Sequence, residues 1–220
     1  MPALHWRLVW LTLFSIAMAH VEAALVVHLR TIYYADNPLT IFPLAILSQR
    51  DLTIELTREV ATLVMILSVA LLSEKGFTRV FAAFVYVFGL WDTCYYLWLK
   101  LMIGWPQSWL EWDVLFLIPW PWFGPWITAA LIALMFVVWG AWILHQKTNL
   151  RFTWIPTTLI TIGIALSLAT FLLPGAHLLP GGTGAFRNFE PTEFSWFLFG
   201  IGYLLMLAGL WRIATQRVDQ

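Results

Sequence analysis

Residues 52–72 read LTIELTREVATLVMILSVALL. The run is apolar enough to enter a bilayer, yet Glu59 and Glu74 enclose only 14 uncharged residues. A spanning helix needs roughly 20 predominantly apolar residues, so this one crosses only if Glu55, Arg58 and Glu59 go in with it. The same conflict recurs twice. Arg7 and Glu22 enclose 14 uncharged residues, and Arg79 and Asp92 only 12. An ionisable group at membrane depth costs at least about 2.5 kcal/mol on insertion scales, so a cluster of them marks a site.

Outward from this stretch, the whole chain has the same solvent preference. Its 220 residues are 61% hydrophobic and 11% charged, with a mean hydropathy of +0.80, outside the range of a water-soluble domain. The expected fold is all-α: one transmembrane domain over 1–220, a six-helix bundle in the lipid bilayer. Its helices are expected at about 8–34, 52–72, 79–103, 125–145, 154–173 and 194–215. The period-2 alternation of a barrel strand is absent, and irregular backbone cannot face lipid.

Near the start, Arg7, the apolar run 8–16 and Ala17-Met18-Ala19 imitate a secretory signal. The apolar pattern continues to Leu29, which favours a retained first helix. Between helices three and four, Trp105-Pro106, Trp109, Trp112 and Pro119-Trp120-Pro121-Trp122 form a Trp- and Pro-rich connection expected to lie at a membrane interface. Asp113 is expected to cap a short helix at 113–118 or to hang over the site. The stretch 174–194 reads as a cover.

Short-loop basic residues set the expected orientation. Arg7, Lys75, Arg79, Lys147, Arg151, Arg212 and Arg217 gather at the end that holds both termini, which makes that end cytoplasmic. Twelve basic and twelve acidic residues balance, so no global field recruits nucleic acid. The single cysteine, Cys94, excludes an internal disulfide and reads as a small packing residue.

The charges are not scattered. Glu55, Arg58, Glu59 and Thr62 are spaced i, i+3, i+4 and i+7, which puts them on one helical face. Asp92, Tyr95, Tyr96 and Lys100 repeat that spacing on the next helix. A short connection makes the two helices antiparallel neighbours, and a rise of about 1.5 Å per residue sets both stripes in the outer half of the bilayer. On helix one, His20 and Glu22 point about 160° apart, so only one can face the stripes. His20 is chosen for the site because imidazole can be neutral, charged or metal-bound.

The expected function is an intramembrane enzyme acting on a lipid-like or isoprenoid-like small molecule, at a polar cluster of helices 1–3 open to the extracytoplasmic side. Glu59, Asp92 and His20 are its catalytic candidates, the two carboxyls as acid and base because unlike neighbours separate otherwise similar groups. Arg58, Tyr95, Tyr96, Lys100, Glu55 and Trp91 are the substrate-binding candidates. A divalent metal is the candidate cofactor, with His20, Glu59 and Asp92 as a mixed nitrogen and oxygen ligand set, although no HxxxH, HExxH or ExxH spacing supports it. Three other readings compete. The charges also fit a self-satisfied ion-pair network, since buried charges persist only when paired. The chain also fits a non-catalytic subunit with partner subunits in a larger membrane complex. A proton or cation carrier is the third, weakened by polarity confined to the outer half.

Overall fold

The structure, a computed structural model, describes residues 2–146, 153–187 and 189–215. It is predominantly helical. Among the described residues, six α-helices are connected in the order α1 (Pro2–Tyr33), α2 (Gln49–Ser73), α3 (Phe77–Ile103), α4 (Trp126–His145), α5 (Trp154–Ala176) and α6 (Trp196–Thr215). Each is long and apolar enough to cross a membrane, as in an integral membrane protein.

The helix ends follow local chemistry. Ser48 opens α2 by accepting a hydrogen bond from the Asp51 N–H at 3.1 Å, and its own hydroxyl donates to the Asp51 carboxylate at 2.7 Å. This reciprocal cap, with an acid in the first turn, starts the helix three residues before the apolar pattern does. Gly104 closes α3 in the left-handed region at φ +76°, its N–H donating to the Lys100 carbonyl. Lys100 Nζ then donates to the carbonyls of Gly104 at 3.0 Å and Pro106 at 2.7 Å, placing a cation where the helix dipole favours one.

α3 is the central helix, packed against α1 on one side and α4 on another, while α5 pairs with α6. Small residues set how close these helices come. A Cβ at Gly89 of α3 would lie 2.3 Å from the Ala133 carbonyl of α4, and one at Gly163 of α5 would lie 2.6 Å from the Gly202 carbonyl of α6. Close backbone approach of this kind holds helices together where burial of apolar surface offers little. α2 is different. Its packing is mainly against α3, and Ile54, Val60, Val64, Leu67, Leu71 and Leu72 remain exposed along its outer side.

The Trp- and Pro-rich connection folds as a β-hairpin, β1 (Trp112–Phe116) against β2 (Trp122–Pro125), antiparallel with Asp113 opposite Gly124 and an irregularity between Val114 and Phe116. A helix at 113–118 is therefore corrected, with 112–116 forming a strand: Pro119 biases the residue before it away from helical backbone, and Trp112, Val114 and Phe116 suit a strand. The hairpin is anchored from inside the fold. Phe123 is fully buried, as is Trp105 in the segment leading into the hairpin, and Trp120 Nε1 donates to the Leu172 carbonyl of α5 at 3.1 Å.

Candidate functional site

A cavity of about 510 Å3 opens between α1, α2, α3 and the hairpin. Four elements deliver most of its polar groups. Glu22 and Arg30 come from α1, Glu55, Arg58, Glu59 and Thr62 from α2, Trp91, Asp92, Tyr95 and Tyr96 from α3, and Asp113 from β1. The helical spacing explains the gathering on α2: Glu55, Arg58, Glu59 and Thr62 stand at i, i+3, i+4 and i+7, so they share one face of the helix.

At one end of the cavity Arg58 joins two helices. Its Nη1 donates to Glu22 of α1, while Nε and Nη2 donate to Glu55 Oε2 at 3.0 and 2.7 Å. The Thr62 hydroxyl donates to the other Glu22 oxygen. Glu22, Glu55 and Glu59 are each about 95% buried, so these bonds replace water that the carboxylates lack. Glu59 faces the hairpin, where its two oxygens share the Leu117 N–H at 3.0 and 3.1 Å. The Asp92 carboxyl lines the same cavity, and among the described residues no hydrogen bond engages it.

At the hairpin end the Arg30 guanidinium lies 4.0 Å from the centre of the Trp105 ring and reaches Asp113 Oδ1 at 3.5 Å. Burial pushes the Asp113 carboxyl up to about 6, against the opposing pull of Arg30, the Val114 N–H and the Tyr96 hydroxyl. Leu179, Gly182, Thr183 and Phe186 also line the cavity, all from the stretch expected to act as a cover, here two short 3-10 turns.

Seven of the nine sequence-derived candidates line this cavity: Glu59, Asp92, Arg58, Tyr95, Tyr96, Glu55 and Trp91. Two lie elsewhere. His20 is exposed on the outside of α1 with its ring against the edge of Trp98, centroids 4.8 Å apart, and Glu22 takes the inward position instead. The physical reason is desolvation: the imidazole finds a ring partner in Trp98 on the outer face, whereas a buried carboxylate needs the Arg58 and Thr62 donors. Lys100 caps the end of α3 and does not reach the cavity. Among the described residues no three His, Cys, Asp or Glu side chains come together to hold a metal, and the set of His20, Glu59 and Asp92 is not assembled.

Reasoning from the stripes alone missed Arg30 and Asp113 as partners. The signal available was the formal charge of Arg30 near the end of helix one, which demanded an acid that its own helix does not place within reach. With Asp113 included and Lys100 excluded, the cavity is lined by five carboxyl groups and two guanidiniums. No family model matches the chain, and neither a curated protein nor a solved structure matches it.

Proposed function

We propose that the protein is an intramembrane enzyme that moves a proton within a lipid-like or isoprenoid-like molecule held in the α1–α3 cavity. The observation that carries this is the contrast between two carboxyls of one cavity: Glu59 is held by the Leu117 N–H, and Asp92 is unengaged among the described residues. Unlike surroundings fit two acids for different roles, one donating a proton to the substrate and the other accepting one from a different carbon, with no net redox change. Trp91, Tyr95 and the apolar walls would orient the substrate, as in concave sites with few polar groups.

In this reading the termini are cytoplasmic and the Trp-rich hairpin sits at the outer interface. Arg7, Lys75, Arg79 and Arg212 support that orientation; Lys147, Arg151 and Arg217 lie outside the described residues. A carrier is disfavoured because Ser68 and Ser73, the polar residues deeper on α2, donate to their own helix carbonyls at Val64 and Ala70. The exposed apolar side of α2 fits either lipid or a partner subunit, and stoichiometric co-purification of a second chain would favour the non-catalytic subunit.

Solvent labelling tests the enzyme reading even while the substrate is unidentified. Protein in nanodiscs, incubated with a total lipid extract in deuterium oxide, should place one deuterium in a defined lipid species, and Glu59→Gln or Asp92→Asn should abolish this while the protein stays folded. A wild-type protein that labels no lipid overturns the reading.

A further inference from the structure

Resting on the reading of the cavity as a lipid-handling site, we infer that its ligand carries an uncharged, hydroxylated head group, as in an acylglycerol, rather than a phosphate or an ammonium head. Arg30 is the first sign. The residue is only 3% exposed, its Nη1 has no hydrogen-bond partner among the described residues, and its one ion pair there is the long 3.5 Å contact with Asp113. Even with the Trp105 ring beneath it, a buried guanidinium with five donors and one long hydrogen bond is under-satisfied, and donors in that state favour an acceptor that arrives. Trp91 adds a second buried donor without a partner among the described residues, Nε1, on another helix of the same cavity.

Donors alone would suit an anion. The remaining lining argues against one, because Glu22, Glu55, Glu59, Asp92 and Asp113 outnumber Arg30 and Arg58. Arg58 is already committed to Glu22 and Glu55. A phosphate head would have to lose its water and sit among surplus carboxyls with one guanidinium to receive it, an arrangement penalised by desolvation and like charge together. An ammonium head matches the carboxyls but has no acceptor to give Arg30 or Trp91.

A hydroxyl does both. Its oxygen accepts from Arg30 Nη1 or Trp91 Nε1, and its hydrogen is donated to Asp92, whose carboxyl no hydrogen bond engages among the described residues. The volume of about 510 Å3 accepts such a head with the first part of a chain, while Leu115, Phe116 and Trp120 supply the apolar wall beyond it.

The test uses the full chain in nanodiscs and a photoactivatable monoacylglycerol with a diazirine in its acyl chain. Peptide mapping should find the adducts on α1–α3 or the hairpin. Three competitors with the same chain and glycerol, phosphate or trimethylammonium heads are then compared. The glycerol-headed competitor should displace the probe at least tenfold better than the other two, and Arg30→Gln should reduce that preference several-fold. Equal or better competition by the phosphate or ammonium head overturns the head-group assignment while leaving the cavity reading intact. Adducts confined to the outer surfaces of α4–α6 overturn both.

Discussion

Arg58 of α2 and Glu22 of α1 form an ion pair between helices that otherwise share few contacts, and the same guanidinium holds Glu55 on its own helix. α2 packs mainly on α3, so its attachment to α1 is chiefly polar. Tyr33 extends it at the hairpin end, its hydroxyl donating to Asp51. A polar seam of this kind both fixes one wall of the cavity and makes that wall sensitive to single substitutions.

Arg58→Met leaves Glu22 and Glu55 buried without their shared cation. Removing one partner of a buried pair costs about 3–5 kcal/mol, because the other charge stays behind. Thermal unfolding in detergent should show that loss. Glu22→Gln keeps an acceptor for Thr62 and should cost less, and the double variant should lose much less than the sum of the two. Strict additivity would mean that the pair is not formed.

Another buried acid, Glu74, lies at the opposite end of the bundle. Glu74 accepts from Arg79 at 2.7 and 3.1 Å and pairs with Arg7 at 3.6 Å, while Arg79 also donates to the Gln146 carbonyl at 2.9 Å. These bonds tie α1, the α2–α3 turn and the end of α4 together, far from the cavity. Glu74→Gln should lower the unfolding temperature, by on the order of 1–3 kcal/mol in stability, and leave lipid deuteration per folded molecule unchanged. A loss of deuteration at full stability would place Glu74 in the chemistry and contradict the separation.

Gly89→Val tests the close α3–α4 packing. Even a methyl group there meets the Ala133 carbonyl at 2.3 Å, which is backbone and cannot turn aside. The helices must separate, at about 3 kcal/mol or more. The expected outcome is a sharp fall in monodisperse protein, read by size-exclusion chromatography; unaltered yield and melting would contradict the packing.

Asp113 gives a pH dependence with a definite sign. Its carboxyl is raised from 3.8 to about 6, chiefly by burial. The folded state therefore binds the proton more tightly than the unfolded state, so stability contributed by this group is greatest below pH 4 and falls as pH rises towards 6, by roughly 3 kcal/mol. Above that it is level. Melting temperatures measured across this range should show a downward component in the wild type that Asp113→Asn lacks. Parallel profiles for the two proteins would contradict the burial of Asp113.

Much of this site is visible in the residue order because helical spacing is a local property: Glu55, Arg58, Glu59 and Thr62 share a face whatever they pack against. The choice between His20 and Glu22 is not local. Both rotations of α1 satisfy the apolar pattern, and only the Arg58 and Thr62 donors across the cavity favour Glu22. Lys100 shows the limit in another form, since a long side chain one turn from a helix end can reach the terminal carbonyls as easily as a neighbouring helix. The hairpin was hidden for a third reason. Prolines and tryptophans mark an interface, but the contact that gives Asp113 its role, with Arg30, joins positions 83 residues apart and leaves no trace in the local pattern.

Carbodiimide mapping probes most directly whether these acids gather in a sheltered hollow. Protein in nanodiscs is treated with lipid-soluble dicyclohexylcarbodiimide, and adducts are assigned by peptide mass spectrometry. Asp92 should be modified first among the acids of α1–α3, with Glu22 and Glu55 protected by Arg58, and a cavity-filling lipid should slow the reaction. Adducts only on acids of the connecting segments, such as Asp36, Glu111 and Glu190, with Asp92 unmodified, would contradict a lipid-accessible cavity around it.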